Sequence, residues 1–187
     1  MEAQIRLTQE AITVAVVLLQ LLLRAGPSYA APFPEPVARA NNGQVQCYAP
    51  DLQRKTCRGI AAFEIGSDGK LVATARILVS DSPRIIMTGK ATVFVRSGNL
   101  CGRLTGQDIE DASFSDGVNE LEPLQASLMR KIVETVVADA LGREICGVFL
   151  PHGRTLIVRP TLDGAPMSVP EQDVIWVHAT DSYRIGD

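Results

Sequence analysis

Apolar and polar positions alternate with a period of two across much of residues 44–120, switch to a period of three to four over 121–141, and alternate again up to residue 178. A period of two is the mark of strands with one buried face, and a period near 3.6 the mark of an amphipathic helix. Gln44–Tyr48 reads as a first short strand. The apolar runs Cys57–Ile65 and Leu71–Val79 flank Asp68-Gly69 and predict a hairpin. Arg84–Met87 and Ala91–Arg96 read as strands, and Ser97-Gly98-Asn99 predicts a tight turn into Leu100–Leu104. After the helical segment, Ile145–Leu150, Thr155–Arg159 and Val174–His178 complete the strands.

Within the helical segment Leu121, Leu124, Leu128, Ile132, Val136 and Ala140 recur at three or four residues and define the expected buried stripe. Pro123 suits the first turn, and Gly142-Arg143 suits the C-terminal end. The pattern predicts an α+β domain: an antiparallel, hairpin-rich sheet of about 6–8 short strands packed on one long amphipathic helix near residues 121–141. On that reading Leu128→Ala costs about 2–5 kcal/mol.

The N-terminal region breaks both periods. Ala11–Leu23 is apolar on nearly every side, and is followed by Gly26-Pro27 and by Ser28-Tyr29-Ala30, a small-x-small tripeptide. A run of about 13 residues falls short of the roughly 20 that a bilayer core requires. It matches a secretory signal peptide over residues 1–30, with the mature chain starting at Ala31. Glu2 and Glu10 dilute the positive charge of the leader, and Arg24 interrupts the end of the apolar run, features also compatible with a retained anchor. Residues 31–43 carry three prolines and read as an extended arm, which leaves 44–187 as a single domain.

All four cysteines, Cys47, Cys57, Cys101 and Cys146, follow the leader. An even count in a small exported domain predicts two disulfides. Of three possible connectivities, pairing neighbours is the simplest: Cys47 with Cys57, and Cys101 with Cys146. The second bridge would tie the strand before the helix to the strand after it. No pair has Cys-x-x-Cys spacing, so neither a thioredoxin-like redox role nor a zinc site is indicated, and the bridges read as structural staples.

Net charge is −3 and aromatics make up 5% of the chain, so neither the basic footprint of a nucleic-acid binder nor a stacking platform is present. The only histidines, His152 and His178, stand apart, and there is no Gly-x-Ser-x-Gly elbow. The acidic stretch Asp108, Glu110, Asp111 and Asp116 lacks EF-hand spacing and reads as a solvated loop, with Asp108 capping a short turn. Arg54, Lys55 and Arg58 gather in or beside the small Cys47–Cys57 loop and form the candidate contact surface, suited to an envelope protein or an anionic surface. No catalytic, metal or cofactor site is indicated. The sequence therefore points to an exported bacterial protein, periplasmic or secreted, that acts as a non-enzymatic binding or structural module. It meets the membrane only through its leader. The alternatives are a small hydrolase using His152 or His178, and a proteinaceous inhibitor acting through the Cys47–Cys57 loop.

Overall fold

The computed structural model describes residues 35–186. The expected signal peptide, its cleavage site and the start of the arm lie outside the described residues. Residues Ala38–Asn42, from the expected arm, form a 3-10 turn, and Val37 beside it is fully buried. Among the described residues no helix is long and apolar enough to cross a membrane.

Eleven strands follow: β1 (Gln44–Asp51), β2 (Thr56–Ile65), β3 (Leu71–Asp81), β4 (Arg84–Arg96), β5 (Asn99–Arg103), β6 (Ser113–Ser115), β7 (Glu144–His152), β8 (Thr155–Leu162), β9 (Ala165–Pro166), β10 (Gln172–His178) and β11 (Arg184–Ile185). Two α-helices, α1 (Gly106–Glu110) and α2 (Pro123–Val137), lie in the crossover from β5 to β7. Strands pair in the order β1-β10-β8-β7-β5-β4-β3-β2, and β2 pairs back onto β1. The result is a closed eight-stranded antiparallel barrel. Hairpin turns set much of this order. Ser97 and Gly98 take φ of 50° and 77°, and Asp163 and Gly164 take 49° and 83°. Positive φ at both central residues is the twist-matched hairpin geometry, and a glycine at the second position adopts it without steric cost.

This overturns the expected α+β arrangement of a sheet packed on a long helix. The hairpins were legible locally. Closure depends on β1 meeting β10, with Gln44 opposite His178, and no local pattern encodes that pairing. A closed barrel buries one face of every strand within itself, so it does not need a helix to cover it.

The helix is real but turns a different side inward. Its buried residue is Ala126, which packs with Ile85, Ala112 and Phe114, and with Met129, Val133 and Leu121 around them. Leu124, Leu128, Ile132 and Val136 face outward. Apolar residues occur on two sides of this helix, so periodicity alone cannot choose between them. The small Ala126 permits a close approach, and Arg130 holds it in place by donating to the Glu110 and Ala112 carbonyls at 3.2 and 3.1 Å. With Leu128 59% exposed, Leu128→Ala should lower the unfolding free energy by less than about 0.5 kcal/mol in a denaturant titration. A loss of 2 kcal/mol or more would restore the original stripe.

β4 changes partners along its length. Its first half pairs with β6 (Met87 opposite Phe114) and its second half with β5 (Val93 opposite Gly102). Ile85, Met87, Ala91 and Val93 alternate onto one side of the strand. The crossover therefore lies across the same face that lines the barrel interior further along. Outside the wall, Leu78, Ile86 and Ile185 form one apolar cluster, and Cys47, Cys57 and Val177 form another under Tyr183.

Candidate functional site

The register of the ladders places one set of side chains inside the barrel. Gln46 stands opposite Ala61 on one side and Trp176 on the other. Tyr48 stands opposite Gly59 and Val174 in the same way. The ring continues through Ala75 opposite Ala61, Ala91 opposite Ala73, Gly102 opposite Val93, and Gly147 opposite Leu100. Many of these inward positions are alanine or glycine. An eight-stranded barrel is just wide enough for large side chains to fill or for one small ligand to occupy. Small residues at this level leave it hollow.

Two cavities result. One, of about 470 Å³, is lined by Tyr48, Ala61, Phe63, Ala73, Ala75 and Ile77, with Leu100 reaching it from β5. The other, of about 250 Å³, is lined by Ala91, Val93, Gly102, Gly147, Phe149 and Val158. Tyr48 and Leu100 line both and form the boundary between them. The wall is tight at Gly147, where a Cβ would meet Val158 Cγ2 at 3.0 Å and Phe149 at 3.4 Å. At the far side Phe63 and Trp176, the single tryptophan, approach with ring centroids 6.2 Å apart.

The inward positions named above include no Asp, Glu, Lys or Arg. Arg58 is among the residues lining the first cavity and Arg103 among those lining the second, and Arg58 is 3.3 Å from Asp81. Gln172 of β10 also lines the first cavity, and a hydrogen-bonded polar pair stands on β1. Tyr48 donates its hydroxyl proton to Gln46 Oε1 at 2.6 Å. Burial pushes the Tyr48 phenol well above its ordinary range. Gln46 is 0% exposed, and its Nε2 has no hydrogen-bond partner among the described residues. A buried donor left unpaired costs about 1–3 kcal/mol. This pair was missed in sequence. Its signal is slight: Gln46 and Tyr48 sit on the polar phase of a strand whose apolar phase, Val45 and Cys47, packs outside the barrel wall.

Both disulfides are formed, Cys47–Cys57 within the β1–β2 hairpin and Cys101–Cys146 between β5 and β7, where the two residues stand directly opposite. Glu144 lies beside the second bridge, but both sulfurs are spent in it, and Arg96 holds Glu144 at 2.6 Å. Two disulfides fit an oxidising, extracytoplasmic environment.

The remaining sequence candidates are scattered. Arg54 pairs with Asp51 at 3.4 Å, and the Asp51 carboxylate accepts the backbone N–H groups of Gln53 and Arg54 at 2.9 Å each. Those bonds, the one to Arg54 foremost, hold its carboxyl below the ordinary range. Two of the three cations, Arg54 and Arg58, are thus matched by carboxylates, and Lys55 occupies the exposed turn between β1 and β2. His152, at the exposed end of β7, places Nδ1 3.1 Å from Asp173 Oδ1. The hydroxyl nearby is that of Thr155, which donates to Asp173 and to the His152 carbonyl. His152 lines neither barrel cavity. His178 is exposed, and its backbone N–H donates to Asp181 at 2.8 Å. Asp108 and Thr105 form a capping box on α1, and Asp116 accepts the Val118 and Asn119 N–H groups at 2.7 Å. Each of these carboxylates serves its own turn and they do not converge. No family model, curated protein or solved structure matches the chain.

Proposed function

We propose that the protein is a non-enzymatic binding module that takes up a small apolar molecule inside its barrel, and that it works in the periplasm or the secreted space. The observation that carries this reading is the pair of apolar cavities meeting at Tyr48, the larger of about 470 Å³. That volume falls within the roughly 300–1,000 Å³ of small-molecule sites. A barrel with no ligand to hold gains by filling its interior, because each void forfeits packing energy. Alanine and glycine at Ala61, Ala73, Ala75, Ala91, Gly102 and Gly147 do the opposite. The disulfides and the export-type leader support the compartment.

The test is titration with Nile red, a neutral dye that fluoresces in apolar surroundings. The expected result is saturable binding of one dye per chain, with quenching of Trp176 emission by energy transfer. Absence of saturable binding to the folded protein rules the reading out.

A further inference from the structure

We infer that the barrel ligand is an anionic amphiphile, a hydrocarbon body ending in one carboxylate, and that Arg103 pairs with the charged end at the rim of the smaller cavity while the body lies inside. This rests on the binding reading above and adds to its apolar molecule a head that stays in water. Among the described residues, Arg103 is the only charged one lining the cavity of about 250 Å³, and Ala91, Val93, Gly147, Phe149 and Val158 give the lining its apolar character. Arg103 is itself exposed, so the cavity reaches solvent beside a cation.

That cation is unmatched. The Arg103 side chain makes no ion pair or hydrogen bond among the described residues. Glu144, directly across the β5–β7 ladder, is held by Arg96 at 2.6 Å. Asp163, whose carboxyl Arg103 also helps to lower, is held by Arg143 at 2.7 Å. Arg58, at the larger cavity, is the opposite case: it donates to both carboxylate oxygens of Asp81 at 3.3 and 3.4 Å. An anion arriving there would have to displace a carboxylate, and one arriving at Arg103 would not. Exposure then sets how the ligand lies. A carboxylate drawn into the apolar interior would lose its water and gain no counter-charge. Beside an exposed guanidinium it stays hydrated on one side and can accept two parallel N–H groups from the arginine fork. The body fills the apolar cavity, which meets the larger one at Tyr48 and Leu100.

Three probes carry different heads on similar hydrocarbon chains: decanoate, decanol and decyltrimethylammonium. Their competition against Nile red at pH 7, below micelle-forming concentrations, reads the class directly. The expected order is decanoate tightest, decanol about fivefold weaker and decyltrimethylammonium weakest. Added salt should narrow the gap between decanoate and decanol, because the pairing is exposed. Arg103→Gln should weaken decanoate about fivefold and leave decanol and Nile red within about twofold. Arg58→Gln should leave the order unchanged. The inference is overturned if decanol or the ammonium probe binds the parent chain as tightly as decanoate, or if salt leaves the gap untouched. It is equally overturned if the order survives Arg103→Gln or is erased by Arg58→Gln. Those outcomes leave saturable Nile red binding intact. Absence of Nile red binding in the parent chain instead removes the binding reading together with the anchor.

Discussion

Ala75→Trp should abolish Nile red uptake, lowering affinity at least about a hundredfold, while the protein stays folded. Ala75 faces inward on β3, between Ala61 of β2 and Gly89 of β4, and lines the 470 Å³ cavity. An indole there occupies the space a ligand would take. Overpacking a full core costs about 1–3 kcal/mol, but this position opens onto a void that can accept the added ring. Thermal denaturation should therefore show a melting point within a few degrees of the parent chain. Ala73→Phe, one inward position along, provides a second obstruction should the first disturb β3. Folded variants that bind the dye within about twofold of the parent would show that the dye sits elsewhere, and would remove the interior as the binding site.

The second large effect concerns covalent closure. Removing the Cys101–Cys146 bridge as a double alanine variant should cost about 4 kcal/mol, and removing Cys47–Cys57 about 3 kcal/mol. The sequence separations are 45 and 10, and the entropy withheld from the unfolded chain grows with the loop enclosed. The longer bridge joins β5 to β7 across the crossover that contains α1, β6 and α2. A loss near 4 kcal/mol lowers the melting point by about 10 °C in a domain of this size. Denaturant titrations of the two double variants give the ordering. A larger loss from the Cys47–Cys57 variant would mean that burial of that bridge under Val177 and Tyr183 outweighs loop length.

These two expectations differ in how far they could be reached from sequence alone. Both disulfide pairings follow from simple adjacency along the chain, and so do the turns at Asp68-Gly69 and Ser97-Gly98. The helix was legible in extent, with Pro123 at its start, but its inward side was not. Leu124, Leu128, Ile132 and Val136 form the more conspicuous apolar row, yet contact falls to Ala126, Met129 and Val133, which pack with Ile85 of β4 and with Phe114. The binding interior was illegible for a related reason. Alternation shows that Val45 and Cys47 share one face and Gln46 and Tyr48 the other, but in an open sheet the polar pair belongs on the solvent side. Closure of the sheet turns that side inward. The alanines and glycines of β2, β3 and β4 become cavity walls only when β5 and β7 stand across from them.

Closure also sets an order of events. β1 begins at residue 44 and its outer partner, β10, ends at residue 178, so the seam of the barrel joins nearly opposite ends of the described chain. The β1–β2 hairpin with its Cys47–Cys57 bridge can form as soon as residue 65 is available. The other edge of β1 must then wait, with its backbone groups unpaired, until almost the whole chain has been made. Pairing across such a distance pays a large loop-closure cost before any contact rewards it, which makes it a slow step. The last of the eight barrel strands to arrive, β10, also shuts the chamber, so a chain that stops short of Gln172 has neither seam nor enclosed interior.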